Sequence, residues 1–253
     1  MSTFDRNSNM RYAAAGANAQ AGVYDEGLRA YMLGVYNYMA LGLAITGLAA
    51  LATVYFAIDQ TAGGMALTSF GQAIYLSPLK WVVMLAPLAM VFFLSFRIQS
   101  MSASTAQTTF WVYAALMGLS LSSIFLVYTG GSIARVFFIT AASFGALSLY
   151  GYTTKKDLSG WGSFLFMGLI GIVIASLVNI FLASSALQFA ISVIGVLVFA
   201  GLTAYDTQQI KEMYYAGDGS EVAKKKSIMG ALRLYLDFIN LFLMLLQLFG
   251  NRE

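Results

Sequence analysis

Long runs of apolar residues, separated by short polar stretches, make up most of the chain after about residue 30. The runs are continuous rather than alternating, which favours helices over strands. Each run is close to the ~20 residues that a helix needs to cross a bilayer. We therefore predict an all-α polytopic membrane protein with seven transmembrane helices. The expected spans are Tyr31–Phe56, Trp81–Phe96, Thr108–Tyr128, Ile133–Tyr152, Trp161–Phe181, Leu187–Ile210 and Ser227–Phe249.

The composition supports this class and narrows the chemistry. Apolar residues account for 59% of the 253 residues and charged residues for 10%, whereas a soluble protein carries about 25% charged residues. This excludes a soluble enzyme and a nucleic-acid-binding protein. The chain contains no cysteine and no histidine, so that any proton-linked behaviour has to come from carboxyl groups. We expect no enzymatic activity and no cofactor.

Domain organisation and orientation follow from the polar segments. Residues 1–30 contain no apolar run behind a basic start, so we predict no cleavable signal peptide. We predict a flexible cytoplasmic tail (1–30) and one transmembrane domain (31–253). Eleven of the 14 lysines and arginines fall in the tail or on its side of the predicted membrane. The positive-inside rule then places the amino terminus in the cytoplasm and the carboxyl terminus outside.

Small residues recur inside the apolar spans at positions that allow helices to approach closely. We expect close helix packing at Gly118 and Ser122, at Gly168 and Gly171, and at Gly195.

Two acidic residues lie inside the predicted spans, where a carboxylate costs about 2.5–3.5 kcal/mol. Asp206 is near the cytoplasmic end of the sixth span, and Asp237 is ten residues into the seventh, roughly 15 Å deep at 1.5 Å per residue. Because one loop joins the two spans, we expect the aspartates to meet. Ionising both carboxyl groups together would then cost free energy, because the two negative charges repel each other. The candidate cations are Arg97, which ends the second span, and Arg233, four residues before Asp237. Alternatively, Asp237 and Arg233 form a local structural pair and Asp206 is interfacial.

The same segments carry a resemblance to a known family. Residues 204–208 (Ala-Tyr-Asp-Thr-Gln) and 234–242 (Leu-Tyr-Leu-Asp-Phe-Ile-Asn-Leu-Phe) resemble the Bax inhibitor family of bacterial type. Residues 29–32 (Arg-Ala-Tyr-Met) and 117–125 (Met-Gly-Leu-Ser-Leu-Ser-Ser-Ile-Phe) agree with it. The resemblance extends from about Arg29 to Arg252.

This resemblance implies a seven-helix bundle with the seventh helix at its centre, and a pH-dependent calcium leak across the bacterial inner membrane. In such a channel Asp206 and Asp237 are the proton sensor and gate, and Arg97 is a latch that bonds Asp206 in the closed state. The permeant species are calcium ions and protons, and the two aspartates provide a weak metal site on the calcium path, since Ca²⁺ takes six to eight oxygen ligands.

Two features depart from the family pattern. Arg233 is a possible modulator, because a cation so near the sensor would keep Asp237 ionised. The basic segment from Lys211 to Lys226 would repel calcium at the cytoplasmic mouth.

Other functions fit the sequence less well. A retinal-binding protein needs a lysine in the middle of a helix, and an intramembrane serine protease needs histidine. An intramembrane aspartyl protease needs water between its two aspartates, and a proton-coupled transporter typically shows internal repeats. The main alternative is a non-conducting membrane interaction protein that regulates, or is handled by, a membrane protease through the tail at 1–30.

Overall fold

The computed structural model describes residues 3–59 and 66–252, with side chains from Glu26 onward. These residues form eight α-helices and one 3-10 helix. The α-helices are α1 (Thr3–Ala57), α2 (Ser69–Tyr75), α3 (Leu79–Arg97), α4 (Ala103–Leu121), α5 (Gly130–Thr153), α6 (Ser159–Leu182), α7 (Ser185–Glu212) and α8 (Ser220–Phe249), and the 3-10 helix is Ser122–Leu126.

Seven of these helices are long and apolar enough to cross a membrane, namely all except α2; in α1 the apolar part is Glu26–Ala57. The all-α class and the number of spans are thereby confirmed. Within the described ranges no strand forms, and extended backbone pairs only in two isolated bridges, between Ile58 and Leu67 and between Tyr128 and Arg252.

Helix bounds differ most from the sequence prediction at the start of α8 and at both ends of α4, which stops at Leu121 and continues as the 3-10 helix Ser122–Leu126. The helix α8 begins at Ser220 rather than Ser227, so the lysines at 224–226 are in a helix, where lysine is well tolerated, and the loop is only 213–219. The helix α4 begins at Ala103 rather than Thr108 because Ser102 caps it by accepting a hydrogen bond from Thr105 N.

The backbone of α1 is helical from Thr3, through the segment 3–30 that we expected to be a flexible tail. This segment contains several alanines, which have the highest helix propensity. The side chains before Glu26 and all of residues 1–2 are outside the described residues, so the tail's flexibility stays a prediction.

Serine and threonine caps and one unusual turn set the helix ends. Thr68, Ser102, Thr129 and Ser184 each accept a hydrogen bond from a backbone N–H in the first turn of the helix that follows, as good N-caps do. The helix α6 ends at Leu182 and is capped by Ala183, a left-handed residue with φ 49°, and α7 begins at Ser185.

The last helix is the most buried of the seven spans. In its most apolar stretch 67% of the residues are buried, compared with 11–39% in the other six. It packs against α1, α4, α5 and α7. Its position at the centre of the bundle stays a prediction.

Two glycines allow helix backbones to touch. A Cβ on Gly118 of α4 would lie 2.3 Å from Thr46 O of α1, and one on Gly151 of α5 would lie 2.2 Å from Ala204 O of α7. The close packing expected at Gly118 is confirmed, whereas the expectation for Gly171 is wrong, because nothing lies within 4 Å of a Cβ there. Gly171 is on an exposed face of α6, which spacing along the sequence does not reveal.

Contacts between loops assign them to the two ends of the bundle. At one end, Lys225 of α8 donates to Gln99 O and Met101 O, and Lys211 of α7 donates to Tyr152 O. At the other end, Thr129 N donates to Asn251 O. The basic loops therefore share one end of the bundle, as the charge count predicts, while the orientation in the membrane stays a prediction.

Candidate functional site

The structure brings Asp206 of α7 and Asp237 of α8 together, so that their carboxyl groups interact with each other. The pair forms because α7 and α8 are antiparallel neighbours joined by the short loop at 213–219. Asp206 is six residues from the carboxyl end of α7, roughly 9 Å at 1.5 Å per residue. Asp237 is 17 residues from the start of α8, and the depth of the pair in the membrane stays a prediction.

Asp237 is the more deeply buried of the two, with a relative exposure of 5%, while Asp206 is half-buried. Its neighbours Leu234, Phe238 and Leu241 on α8 are also buried and apolar. Its Oδ2 atom is buried and has no hydrogen-bond partner. Because a buried polar atom without a partner is costly, this carboxyl group is a candidate functional group, and its binding of a proton or cation stays a prediction.

Arg233 is the cation that acts on both carboxyl groups by its charge. It lies one turn before Asp237 on α8, and its side chain is exposed. Tyr31 of α1 is near it. Arg233 makes no direct ion pair with either aspartate: within the described part of the chain, Lys226 and Asp218 form the only ion pair shorter than 4.0 Å. The local pair between Asp237 and Arg233 is therefore a longer-range interaction in this conformation.

Arg97 is not brought to Asp206. It is the last residue of α3, it is exposed, and it makes no ion pair in the described ranges. The helix α3 packs on α2 and α4, which keeps its end away from α7. A bond between Arg97 and Asp206 would belong to another conformation, and the role of Arg97 as a latch stays a prediction.

The loop that follows Arg97 is fastened to the start of α8. Lys225 Nζ is 3.3 Å from both Gln99 O and Met101 O, and Glu221 Oε1 accepts a hydrogen bond from Ala103 N at 3.3 Å. One turn of α8 thus holds the end of α3 and the start of α4. The helix that carries Asp237 therefore also positions the segment that carries Arg97.

A chain of hydroxyl groups beside the pair was not found from the sequence. Tyr36 of α1 bonds Ser148 of α5 at 2.7 Å, and Ser148 bonds Thr207 of α7 at 2.9 Å. Thr207 directly follows Asp206. Serine and threonine give little signal in the sequence, because inside a helix their hydroxyl groups can donate to a carbonyl group of the same helix. Thr207 donates in this way to Thr203 O.

A second polar group lies at the opposite end of α7 and α8. Gln188 donates to Gln247 at 2.6 Å, Ser192 donates to Gln247 at 2.8 Å, and Asn179 donates to Gln188 at 3.1 Å. They line a polar cavity of about 370 Å³ together with Arg252. Polar groups thus flank both ends of the contact between α7 and α8.

The two aspartates alone are too few to form a strong metal site. In the parts of the chain that are described, no three or more His, Cys, Asp or Glu side chains cluster so as to hold a metal ion. Two carboxyl groups supply at most four oxygens, fewer than the six to eight that Ca²⁺ takes. The geometry fits transient contact with a cation better than tight binding.

Comparison with known proteins shows the family. A family model described as "Inhibitor of apoptosis-promoting Bax1" matches residues 28–253, which include both aspartates and both arginines. The chain belongs to the Bax inhibitor-1 family. The resemblance seen at residues 204–208 and 234–242 is thereby confirmed.

Bacterial members of the Bax inhibitor-1 family align over nearly their whole length. An uncharacterized protein of Rickettsia prowazekii is 55% identical over 230 residues, covering 91% of this chain and 93% of that protein. The inner membrane protein YbhL of Escherichia coli is 53% identical over 229 residues, covering 90% and 94%. An uncharacterized protein of Caulobacter vibrioides is 49% identical over 232 residues, covering 90% and 92%. Together with the seven apolar helices, the name of the E. coli relative supports a multi-pass protein of the inner membrane.

Proposed function

We propose that this member of the Bax inhibitor-1 family is a pH-sensitive calcium leak channel, in which Asp206 and Asp237 are the proton sensor and gate. The observation that carries the proposal is the contact between two carboxyl groups from neighbouring spans, one of them almost completely buried. An ionisable group inside a membrane protein is costly to keep there and typically serves ion or proton movement.

The chemistry of the pair provides the switch. When one proton is shared, one carboxyl group donates a hydrogen bond to the other and α7 stays against α8. When both groups lose their protons, two negative charges repel each other in a poorly solvated place. Repulsion then favours conformations in which α7 and α8 separate and water or a cation enters between the carboxylates.

The two arginines have different parts in this proposal. Arg233 stabilises negative charge on both aspartates from one helical turn away, and so it sets the pH at which the pair changes state. As a latch, Arg97 bonds Asp206 in the closed state once the end of α3 has moved to α7. That movement requires the bonds from Lys225 to the α3–α4 loop to break or to move with it.

Calcium is the permeant ion in the proposal and is not a bound cofactor. A site with two carboxylates attracts a divalent cation when both are ionised, but it gives too few ligands to hold it. Passive leak down a gradient fits this better than transport against one.

The experiment is calcium entry into liposomes that contain the purified protein and a trapped calcium dye. It is followed as a function of pH from about 5.5 to 8.5, on both sides of neutrality. The variants are Asp206→Asn, Asp237→Asn and Arg97→Gln. The matched control is Asp157→Asn, because Asp157 is an exposed aspartate in the α5–α6 loop. We expect pH-dependent flux in the parent and in the Asp157 variant, and a shifted or absent pH dependence in the other aspartate variants.

Failure of this experiment would favour the alternative. If liposomes with the parent protein leak no faster than empty ones at any pH, a non-conducting interaction protein that regulates or is handled by a membrane protease becomes the better reading. Its partner would be sought by crosslinking through the tail at 1–30, which contains Arg6 and Arg11.

A further inference from the structure

A long groove lies on the side of the bundle between α1 and α5, with α8 at its floor. Its larger part has a volume of about 580 Å³ and lies toward the basic end. Tyr36, Met39 and Leu43 of α1 form one wall, Phe144 and Gly145 of α5 form the other, and Phe238 of α8 is at the bottom. Because all three helices span the membrane, the groove faces the lipid rather than water.

The groove has room for an occupant along its wall. A Cβ on Gly145 would meet no heavy atom within 4 Å, although Gly151, six residues further along α5, is pressed against α7. Apart from Tyr36 and Ser148, whose hydroxyls bond each other, its lining carries few polar groups. A molecule that fills this space is apolar where it contacts Gly145 and Phe144.

Two basic side chains lie at one end of the groove. Tyr152 closes that end, and Lys211 of α7 lies against it, with its Nζ 2.9 Å from Tyr152 O and 5.2 Å from the ring centre. On the α1 wall, Arg29 precedes Tyr36 by seven residues, which is two turns, and so lies on the same face of the helix. It is exposed. The groove therefore matches an amphiphile with an apolar tail and a negatively charged head.

The dimensions favour a single acyl chain over a protein helix. From Phe137 to Tyr152 the α5 wall has 16 residues, and the 15 steps between them span roughly 22 Å at 1.5 Å per residue. One leaflet of the bilayer contributes about 15 Å of hydrocarbon, so an acyl chain anchored at the basic end fits within the groove. A helix of the same length is ~10 Å across with its side chains, which is wider than a single acyl chain.

We propose that this groove is a specific lipid site, which holds one acyl chain of an anionic phospholipid between α1 and α5 and its phosphate near Lys211 and Arg29. The site is separate from the aspartate pair, and the proposal does not depend on ion conduction. It is connected to the pair, however, because Ser148 on its wall bonds Thr207, the neighbour of Asp206. The lipid would therefore contact the element that positions the sensor.

The test is native mass spectrometry of the full chain after reconstitution in equal amounts of phosphatidylglycerol and phosphatidylcholine and transfer into mild detergent. Gly145→Leu fills the groove. Gly171→Leu is the matched control, since Gly171 is also an exposed helical glycine with nothing within 4 Å of its Cβ position, but lies on α6 away from the groove. Lys211→Gln removes the charge while keeping a donor for Tyr152 O. Ala141→Leu, which blocks the same groove, replaces Gly145→Leu if that variant does not fold.

We expect the parent and Gly171→Leu to retain one phosphatidylglycerol per chain. We expect the affinity of Gly145→Leu for this lipid to be roughly tenfold lower, a change equivalent to about 1.4 kcal/mol in binding. Lys211→Gln is expected to retain lipid but to lose the preference for phosphatidylglycerol. The proposal would be overturned if Gly145→Leu retained as much lipid as the parent, or if the parent retained the two lipids equally. It would also be overturned if the parent formed a dimer that Gly145→Leu dissociates.

Discussion

Replacing Gly151 by alanine adds one methyl group where α5 meets α7, beside Ala204, which lies two residues before Asp206. The new Cβ would lie 2.2 Å from Ala204 O, and ordinary contact begins at 3.4 Å, so the two backbones would have to separate by about 1.2 Å. A helical carbonyl cannot turn away without breaking its own hydrogen bond. Overpacking of this kind costs about 1–3 kcal/mol, and the gain in helix propensity from glycine to alanine offsets about 1 kcal/mol of it. We therefore expect Gly151→Ala to destabilise the protein by up to about 2 kcal/mol.

The same substitution at Gly145 is the control, because it is in the same helix and its Cβ position is empty. Only the propensity gain applies there, so we expect stabilisation by up to about 1 kcal/mol. Denaturant unfolding in detergent micelles, followed by the fluorescence of the three tryptophans, measures both changes. Effects of the same sign at Gly145 and Gly151 would refute the close backbone contact between α5 and α7.

Three further predictions concern the scaffold. Ala183→Gly should stabilise the protein by up to about 1 kcal/mol in the same assay, because glycine adopts the left-handed conformation at no steric cost; a loss of stability would contradict the φ of 49°. Tyr235→Phe should destabilise by about 1 kcal/mol, since the tyrosine hydroxyl bonds the buried Thr46 at 2.6 Å; an unchanged unfolding midpoint would argue against this bond. In the cysteine-free chain, a membrane-impermeant maleimide should label Asn251→Cys from outside the cell and Lys224→Cys only after lysis, and the reverse pattern would overturn the orientation.

The seven spans could be predicted from the sequence because each is a continuous apolar run. The start of α8 could not, since its first two turns contain Lys224, Lys225 and Lys226, which are typical of a charged loop. In the structure, Lys225 and Lys226 bond carbonyl groups of neighbouring loops. Such tertiary partners for a charged side chain leave no local pattern in the sequence.

The aspartate pair could be predicted because a carboxyl group inside an apolar span is rare and expensive. The partner cation was harder to identify: Arg97 and Arg233 were both candidates, and only the packing of α3 against α2 and α4 distinguishes them in this conformation. The groove between α1 and α5 was not predictable at all. Gly145 and Gly151 are both glycines of one helix. Only the positions of the neighbouring helices leave space around Gly145 and pack Gly151 tightly.

The pH profile of calcium entry for Asp237→Asn, beside the parent and Asp157→Asn in the same liposomes, tests the account most directly. Asp237 is the buried member of the pair, and asparagine keeps its size while removing its proton equilibrium. The account predicts that the parent and Asp157→Asn share one pH-dependent profile, and that the pH dependence of flux through Asp237→Asn is shifted or absent. A profile for Asp237→Asn that coincides with that of the parent would contradict the assignment of the aspartate pair as sensor and gate.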